Sequence, residues 1–413
     1  GPVEQDDGNS DVWILSLDGG DELPLIQHPA DDRLLGWVPG TDWIVFLSDR
    51  LGTWDLWAAA VRDGVIAEPP RRLKRDLGEV EAVGFSENGS LFYSEFTRWF
   101  STSIAPFDVT TGTADLDAAA PLLGSNRTPR WSPDGQRLVF ITESEVTEGK
   151  SGRINIRDLT TGEQREVAPS LRARRLGDWS PDGRSLLVAG DDGGDEPHFW
   201  RVDVSSEHLT PLVPIPGAGE WWGGWTVPKW SPDGQSVIYS VLNDGAGQGR
   251  LVRRDLVSGV EEEWYRDSLL IRRPFELSPD GRQVAFVFMD SLDAEGPGGI
   301  SVLDLDTQAK RRIVTFADST IGWEVCLQWM PDGRNILYSV IQQGADWSEW
   351  RTNVWRVGAA GGDPEFLWTF GEGKWGGWFQ LSPDGQQIAL TTYTQETEIW
   401  VMENLKEVLE RQN

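Results

Sequence analysis

The apolar positions of this chain fall in short alternating runs, among them Leu138-Val-Phe-Ile141, Val237-Ile-Tyr239, Val284-Ala-Phe-Val287 and Ile336-Leu-Tyr338. Alternation with a period of two predicts half-buried β-strands rather than helices. Each run follows a recurring turn: Trp131-Ser-Pro-Asp-Gly135, Trp179-Ser-Pro-Asp-Gly183, Trp230-Ser-Pro-Asp-Gly234, Leu277-Ser-Pro-Asp-Gly281, Trp329-Met-Pro-Asp-Gly333 and Leu381-Ser-Pro-Asp-Gly385. Proline presets φ at the second position, aspartate tolerates the third, and glycine takes the left-handed residue after it, so the motif closes a β-hairpin. Trp37-Val-Pro-Gly-Thr-Asp42 and Phe85-Ser-Glu-Asn-Gly89 are degraded copies.

From Gly89 onward the turn glycines lie 46, 48, 51, 47, 52 and 52 residues apart, a period of propeller blades or solenoids. A third apolar segment follows each hairpin, as in Trp54-Asp-Leu-Trp57, Ile154 to Leu159, Phe199 to Val204, Leu251 to Leu256, Ile300 to Leu305, Val354 to Val357 and Ile399 to Met402. A short fourth strand such as Arg165-Glu-Val167 or Arg312 to Phe316 completes the unit, and four antiparallel strands describe a propeller blade. The fold expected is therefore all-β, one eight-bladed β-propeller domain over 1–413. Its blades would span about 31–78, 79–124, 125–170, 171–214, 215–266, 267–317, 318–371 and 372–405, with 406–413 a surface helix or tail. The last repeat lacks a fourth strand, so the N-terminal strands within 1–30 are expected to close the C-terminal blade. Val12 to Leu17 has no place in that count, and would be an extra outer strand or the remnant of a longer chain.

Composition narrows the chemistry. The 37 Lys and Arg against 66 Asp and Glu give a net charge of −29, which argues against a phosphate-backbone partner. One cysteine, Cys326, leaves no intramolecular disulfide and no multi-cysteine zinc site. No apolar run reaches the ~18 residues of a spanning helix and no leader is evident, so a soluble chain is expected. The 46 Gly and 24 Pro fit many short strands joined by turns.

The Ser-Pro-Asp-Gly hairpin, the third strand ending Asp-Leu and the closing Ile399-Trp-Val-Met-Glu-Asn404 together resemble the TolB-like β-propeller repeats of bacterial proteins. The stretch from Asp32 through Trp57 is similar to propellers attached to bacterial proteases or sensor modules. The resemblance covers nearly the whole chain. It implies a platform for protein or peptide binding in a periplasmic or extracellular setting, or a gating propeller beside a peptidase domain. The chain itself carries no such peptidase domain.

Catalysis has little to draw on. His28, His198 and His208 lie in different repeats or strand contexts, with no spacing that predicts convergence on a metal or an acid–base pair. Neither a Gly-x-Ser-x-Gly elbow nor a phosphate-binding Gly-x-x-x-x-Gly-Lys loop occurs, and no catalytic residue is assigned. The densest acidic loop, Asp191, Asp192 and Asp195, could offer oxygens to calcium, but it lacks EF-hand spacing and reads more simply as a solvated turn. No other cofactor is expected. Asn88 and Asn126 head glycosylation-type triplets that matter only in a eukaryotic secretory chain.

Tryptophan is more informative, with 23 copies. Trp131, Trp179, Trp230 and Trp329 precede the hairpin and are expected to pack between blades. Trp221, Trp222, Trp225, Trp375 and Trp378 lie in connections to a first strand, and Trp99, Trp347 and Trp350 in loops after a second strand. Both connection classes emerge on one propeller face. These eight form the expected ligand surface, bordered by acidic loops that favour a basic peptide; inter-blade packing is the competing explanation. The function expected is a non-enzymatic recognition propeller, a monomer binding a protein, peptide or glycan as a sensor or accessory module of the bacterial envelope. The alternatives are a carbohydrate-active or lyase-type enzyme with its site at the channel mouth, and a purely structural accessory domain.

Overall fold

The computed structural model describes residues 10–15, 22–78, 80–122, 124, 126–142, 152–194, 197–215, 227–241, 248–267, 270–289, 298–316, 326–342, 350–370 and 375–410. Residues 1–98 with 395–413 form one compact unit and residues 99–394 another.

In the second unit the turn chemistry operates as the motif requires. The serine hydroxyl accepts the N–H five residues on, Arg137 to Ser132 at 2.9 Å and Ser185 to Ser180 at 2.9 Å, and donates to the turn aspartate, Ser180 to Asp182 at 2.6 Å. That hydroxyl holds the carboxyls of Asp134, Asp182, Asp233, Asp280 and Asp384 below the ordinary carboxylate range. Where Met330 replaces serine, Asn335 substitutes for it, donating its side-chain amide to Asp332 at 2.6 Å. The third strands end in Asp because its carboxylate caps the next turn, as Asp158 does for Thr161 N–H at 2.7 Å.

These hairpins build six antiparallel sheets. The first is Asn126–Trp131, Arg137–Thr142, Arg153–Asp158 and Gln164–Val167. The second is Arg172–Trp179, Ser185–Asp191, His198–Asp203 and Leu209–Pro214, and the third Lys229–Trp230, Ser236–Val241, Gly249–Asp255 and Glu261–Asp267. The fourth is Leu270–Leu277, Gln283–Met289, Gly298–Asp304 and Lys310–Thr315, and the fifth Leu327–Trp329, Asn335–Gln342, Arg351–Gly358 and Glu365–Phe370. The sixth combines both ends of the unit. Trp375–Leu381 pairs with Gln387–Met402, which pairs with Leu91–Asp108, with Thr113–Ala114 and Ala120–Pro121 outside. Within the unit that join is fixed by Thr102 Oγ1 against Thr391 Oγ1 at 2.9 Å and by Phe107 N–H to Gln386 O at 2.8 Å.

The six sheets touch in cyclic order, the first against the sixth through their innermost strands. Packing of the turns repeats the cycle: a Cβ added to Gly183 would approach Pro133 at 3.7 Å, to Gly234 Pro181 at 3.6 Å, to Gly281 Pro232 at 2.4 Å, to Gly333 Pro279 at 4.0 Å, to Gly385 Pro331 at 3.1 Å and to Gly135 Pro383 at 3.8 Å. Gly281 has φ +70° and no room for a side chain. Gly281→Ala is therefore expected to cost about 2–3 kcal/mol, against about 1 for Gly333→Ala, where only the left-handed backbone objects. Urea unfolding of the two variants measures the difference, and equal losses would contradict the packing.

A single ring of eight closed by the N-terminus does not describe these pairings. Val12–Leu15 pairs with Glu22–Ile26 in a two-stranded sheet of its own, and the strand that joins the C-terminal sheet is Leu91–Asp108. An earlier part of the chain does complete the C-terminal sheet, but it is Leu91–Asp108 and not the strands within 1–30. The region read as a strand, a loop holding Trp99 and another strand is one continuous strand.

The first unit contains that hairpin and a sheet of Asp32–Trp37, Trp43–Ser48, Asp55–Arg62, Val65–Ile66 and Arg71–Lys74. Val80–Phe85 pairs with the start of Leu91–Asp108. Its core gathers Trp43, Val45, Leu56, Leu91 and Tyr93 with Leu405 and Leu409 of the helix Leu405–Glu410, so the segment expected as a surface helix or tail packs into a core. Asp55 is fully buried and takes Arg72 at 2.9 Å, Thr53 Oγ1 at 2.9 Å and Asp76 N–H at 2.8 Å.

Candidate functional site

The residue just before each hairpin tryptophan or leucine of the second unit is Arg130, Asp178, Lys229, Glu276, Gln328 or Gln380, every one polar. Strand alternation explains the pattern, because neighbouring side chains point to opposite faces. The Trp side goes between sheets. Trp131, Trp179 and Trp329 are buried, and their indole N–H groups reach Gln380 O at 3.0 Å, Arg130 O at 3.1 Å and Glu276 O at 3.1 Å in the adjacent sheet. The polar side turns to the axis of the ring. This is the signal that a search for unusual tryptophans passes over, although it stands in all six copies of the motif.

Around the axis the charges are matched. Lys229, 4% exposed, sits 2.7 Å from Glu276 Oε1 and 3.4 Å from Asp178 Oδ2, one partner in each flanking sheet. Burial pushes the Glu276 carboxyl above its ordinary value, and Lys229 pulls against that shift. Its side chain keeps about 21% exposure, which faces a cavity. Arg130 is held by Gly177 O at 2.8 Å and Pro129 O at 2.9 Å. Gln380 accepts Trp131 N–H at 3.3 Å, and Gln328 accepts Leu381 N–H at 2.8 Å.

Two spaces adjoin this waist. The cup at the hairpin end, about 340 Å³, is rimmed by Pro133, Pro279, Pro331 and Pro383. On the other side a smaller cavity of about 80 Å³ is walled by Thr128, Arg130, Arg175, Glu276, Cys326 and Trp378, with Val227 just ahead of the third sheet. Burial raises the Cys326 thiol to about 11, so it is no thiolate at neutral pH. Its Sγ lies 3.3 Å from Phe379 O. Thr128 has φ +54°, a conformation that a β-branched residue rarely adopts, at a register shift between Arg127 and Arg130. It is 5% exposed, and its hydroxyl has no hydrogen-bond partner among the described residues.

Of the tryptophans expected to make a ligand surface, Trp378 lines this cavity, half-buried, with its ring 5.5 Å from Phe100. Trp375, in the same innermost strand as Trp378, pairs through its backbone with Tyr393 of Gln387–Met402. Trp99 is half-buried within Leu91–Asp108, and Trp350 half-buried just ahead of Arg351–Gly358. Trp221, Trp222, Trp225 and Trp347 lie outside the described residues. Asp191 is buried, with Arg174 at 3.7 Å and Arg172 at 3.8 Å from its carboxylate, and Asp192 accepts Gly194 N–H at 3.1 Å. Asp195 lies outside the described residues. Among the described residues no group of three His, Cys, Asp or Glu is arranged to hold a metal. His198 is in the third strand of the second sheet, and His208 just precedes that sheet's last strand. No helix among the described residues is long and apolar enough to cross a membrane.

No protein-family model matches the sequence, and no curated protein does. Solved structures do match in shape. A TolB-like protein from Agrobacterium tumefaciens superposes with a TM-score of 0.53 at 20% identity, over 72% of this chain and 99% of that one. TolB from Acinetobacter baumannii gives 0.46 at 16% identity, over 90% and 82%. An oligogalacturonate lyase from Vibrio parahaemolyticus gives 0.39 at 13% identity, over 79% and 92%. The first of these likenesses, together with the ring of four-stranded sheets in residues 99–394, shows that this chain has the fold of the TolB-like β-propellers.

Proposed function

We propose that the chain is a non-enzymatic recognition propeller, and that its second unit binds a protein or peptide at the Trp378 end of the axis. The observation that carries this reading is the small cavity there. An aromatic wall, Trp378 braced by Phe100, stands beside polar groups fixed by backbone and neighbouring strands, the usual make-up of a recognition pocket. The carboxylates nearest to it share Lys229, which suits them to holding the sheets together better than to passing protons. A protein-binding role also fits the TolB-like fold, with an envelope location, monomeric state and any preference for basic partners following as parts of the same proposal.

The test is binding of an immobilised random-sequence peptide pool by the full chain. Trp378→Ala is expected to weaken capture about tenfold, as loss of a central aromatic does, while the circular dichroism spectrum stays that of the parent. Unchanged capture by this variant, or no capture by the parent chain, would refute the reading. Trp350→Ala serves as a comparison, with a smaller loss expected because it lies outside the cavity.

A further inference from the structure

The cavity holds a specific clue to what enters it. Thr128 occupies a left-handed backbone conformation that glycine would adopt without strain, yet the chain keeps a β-branched residue there. Its hydroxyl is buried and without a partner among the described residues, an arrangement that costs stability unless something supplies the missing bond. Arg130 and Arg175 line the same cavity. Among the described residues of the wall the one carboxylate, Glu276, is engaged by Lys229 at 2.7 Å. Arg130 and Arg175 thus bring two guanidinium groups to the wall of this cavity.

We propose that this cavity captures a carboxylate, and that the group is the C-terminus of an extended peptide threaded past Trp378. Resting on the recognition reading above, the inference deepens it by naming the end of the partner that is read. A carboxylate accepts from the Thr128 hydroxyl and from guanidinium N–H groups, whose bonds to anions are about twice as strong as neutral ones. The space suits that headgroup: about 80 Å³ admits a few waters or one carboxylate, and no folded domain. The aromatic wall then packs the last side chain of the peptide.

The experiment compares two random-sequence peptide pools, one with free C-terminal carboxylates and one amidated, each also made without Asp and Glu. The full chain is expected to bind the free-acid pool at least about tenfold more tightly, with the preference intact in the pool lacking acidic side chains. Equal binding of the acid and amide pools would overturn the inference and leave the recognition reading standing. Preference that vanishes without Asp and Glu would overturn the terminal assignment, and failure of both pools to bind would refute the recognition reading itself. Thr128→Val should lower the preference and Thr128→Ser should restore it. Thr128→Gly adds a readout that does not depend on ligand: relief of the backbone should raise Tm while the preference falls. A higher Tm with the preference unchanged would show that the strained threonine has no part in binding.

Discussion

Lys229→Met is expected to destabilise the protein by about 3–5 kcal/mol, because it leaves buried carboxylate charge without its cation. Lys229 is nearly inaccessible and lies within 2.7 Å of Glu276 and 3.4 Å of Asp178, so its removal strips the counter-charge from two sheets at once. The methionine fills much of the same volume, which keeps packing loss small. The penalty therefore has an electrostatic signature. Burial already raises the Glu276 carboxyl, and without Lys229 that rise grows. A carboxyl whose folded-state value exceeds its unfolded one contributes stability at low pH that is lost as pH rises through the folded value. The variant should accordingly lie nearer to the parent at pH 5 than at pH 7.5, and Lys229→Met with Glu276→Gln should recover more than half of the loss. Urea titrations at the two pH values measure both effects; a deficit independent of pH would mean that the lysine acts through packing alone.

Trp179→Ala should cost a similar amount, about 3–5 kcal/mol, by a different route. The ring is 3% exposed, bonds Arg130 O across the sheet boundary at 3.1 Å, and carries the Arg137 guanidinium 4.7 Å from its centre. Truncation opens a cavity between two sheets and frees a carbonyl. Trp179→Leu is expected to lose about half as much, because Leu277 and Leu381 occupy the equivalent place in two other sheets without an indole bond. If leucine were as damaging as alanine, indole hydrogen bonding rather than volume would dominate the contact. Calorimetric melting of both variants discriminates the two.

The repeats made much of this architecture legible from residues alone. Ser-Pro-Asp-Gly announced the hairpins, and alternation announced that Trp131, Trp179 and Trp329 would be buried. What misled was a missing signal. Leu91–Asp108 has no glycine or asparagine and only one proline, Pro106, near its end, and Gln387–Met402 has none of the three. Repeat spacing invites a hairpin in each, whereas the absence of turn residues speaks for unbroken strands. The local chemistry was the better guide. The site was less legible, since the matched axial charges and the orphaned hydroxyl of Thr128 arise only when six strands meet. No spacing along the chain places Asp178, Lys229 and Glu276 side by side. Tryptophan abundance drew notice to a set of rings of which Trp378, among the described residues, lines a cavity.

The sixth sheet has a consequence for biogenesis. Its outer strands are made first and its inner strands last, so residues 99–121 leave the ribosome long before 375–394 exist to receive them. At about 5–20 residues per second, the early segment waits roughly 15–60 s with the edge that will face Gln387–Met402 unpaired. Throughout that interval the nascent molecule is an open arc, exposing an edge to any extended polypeptide nearby. Translation pace and chaperone access over this last stretch thereby govern the yield of closed rings.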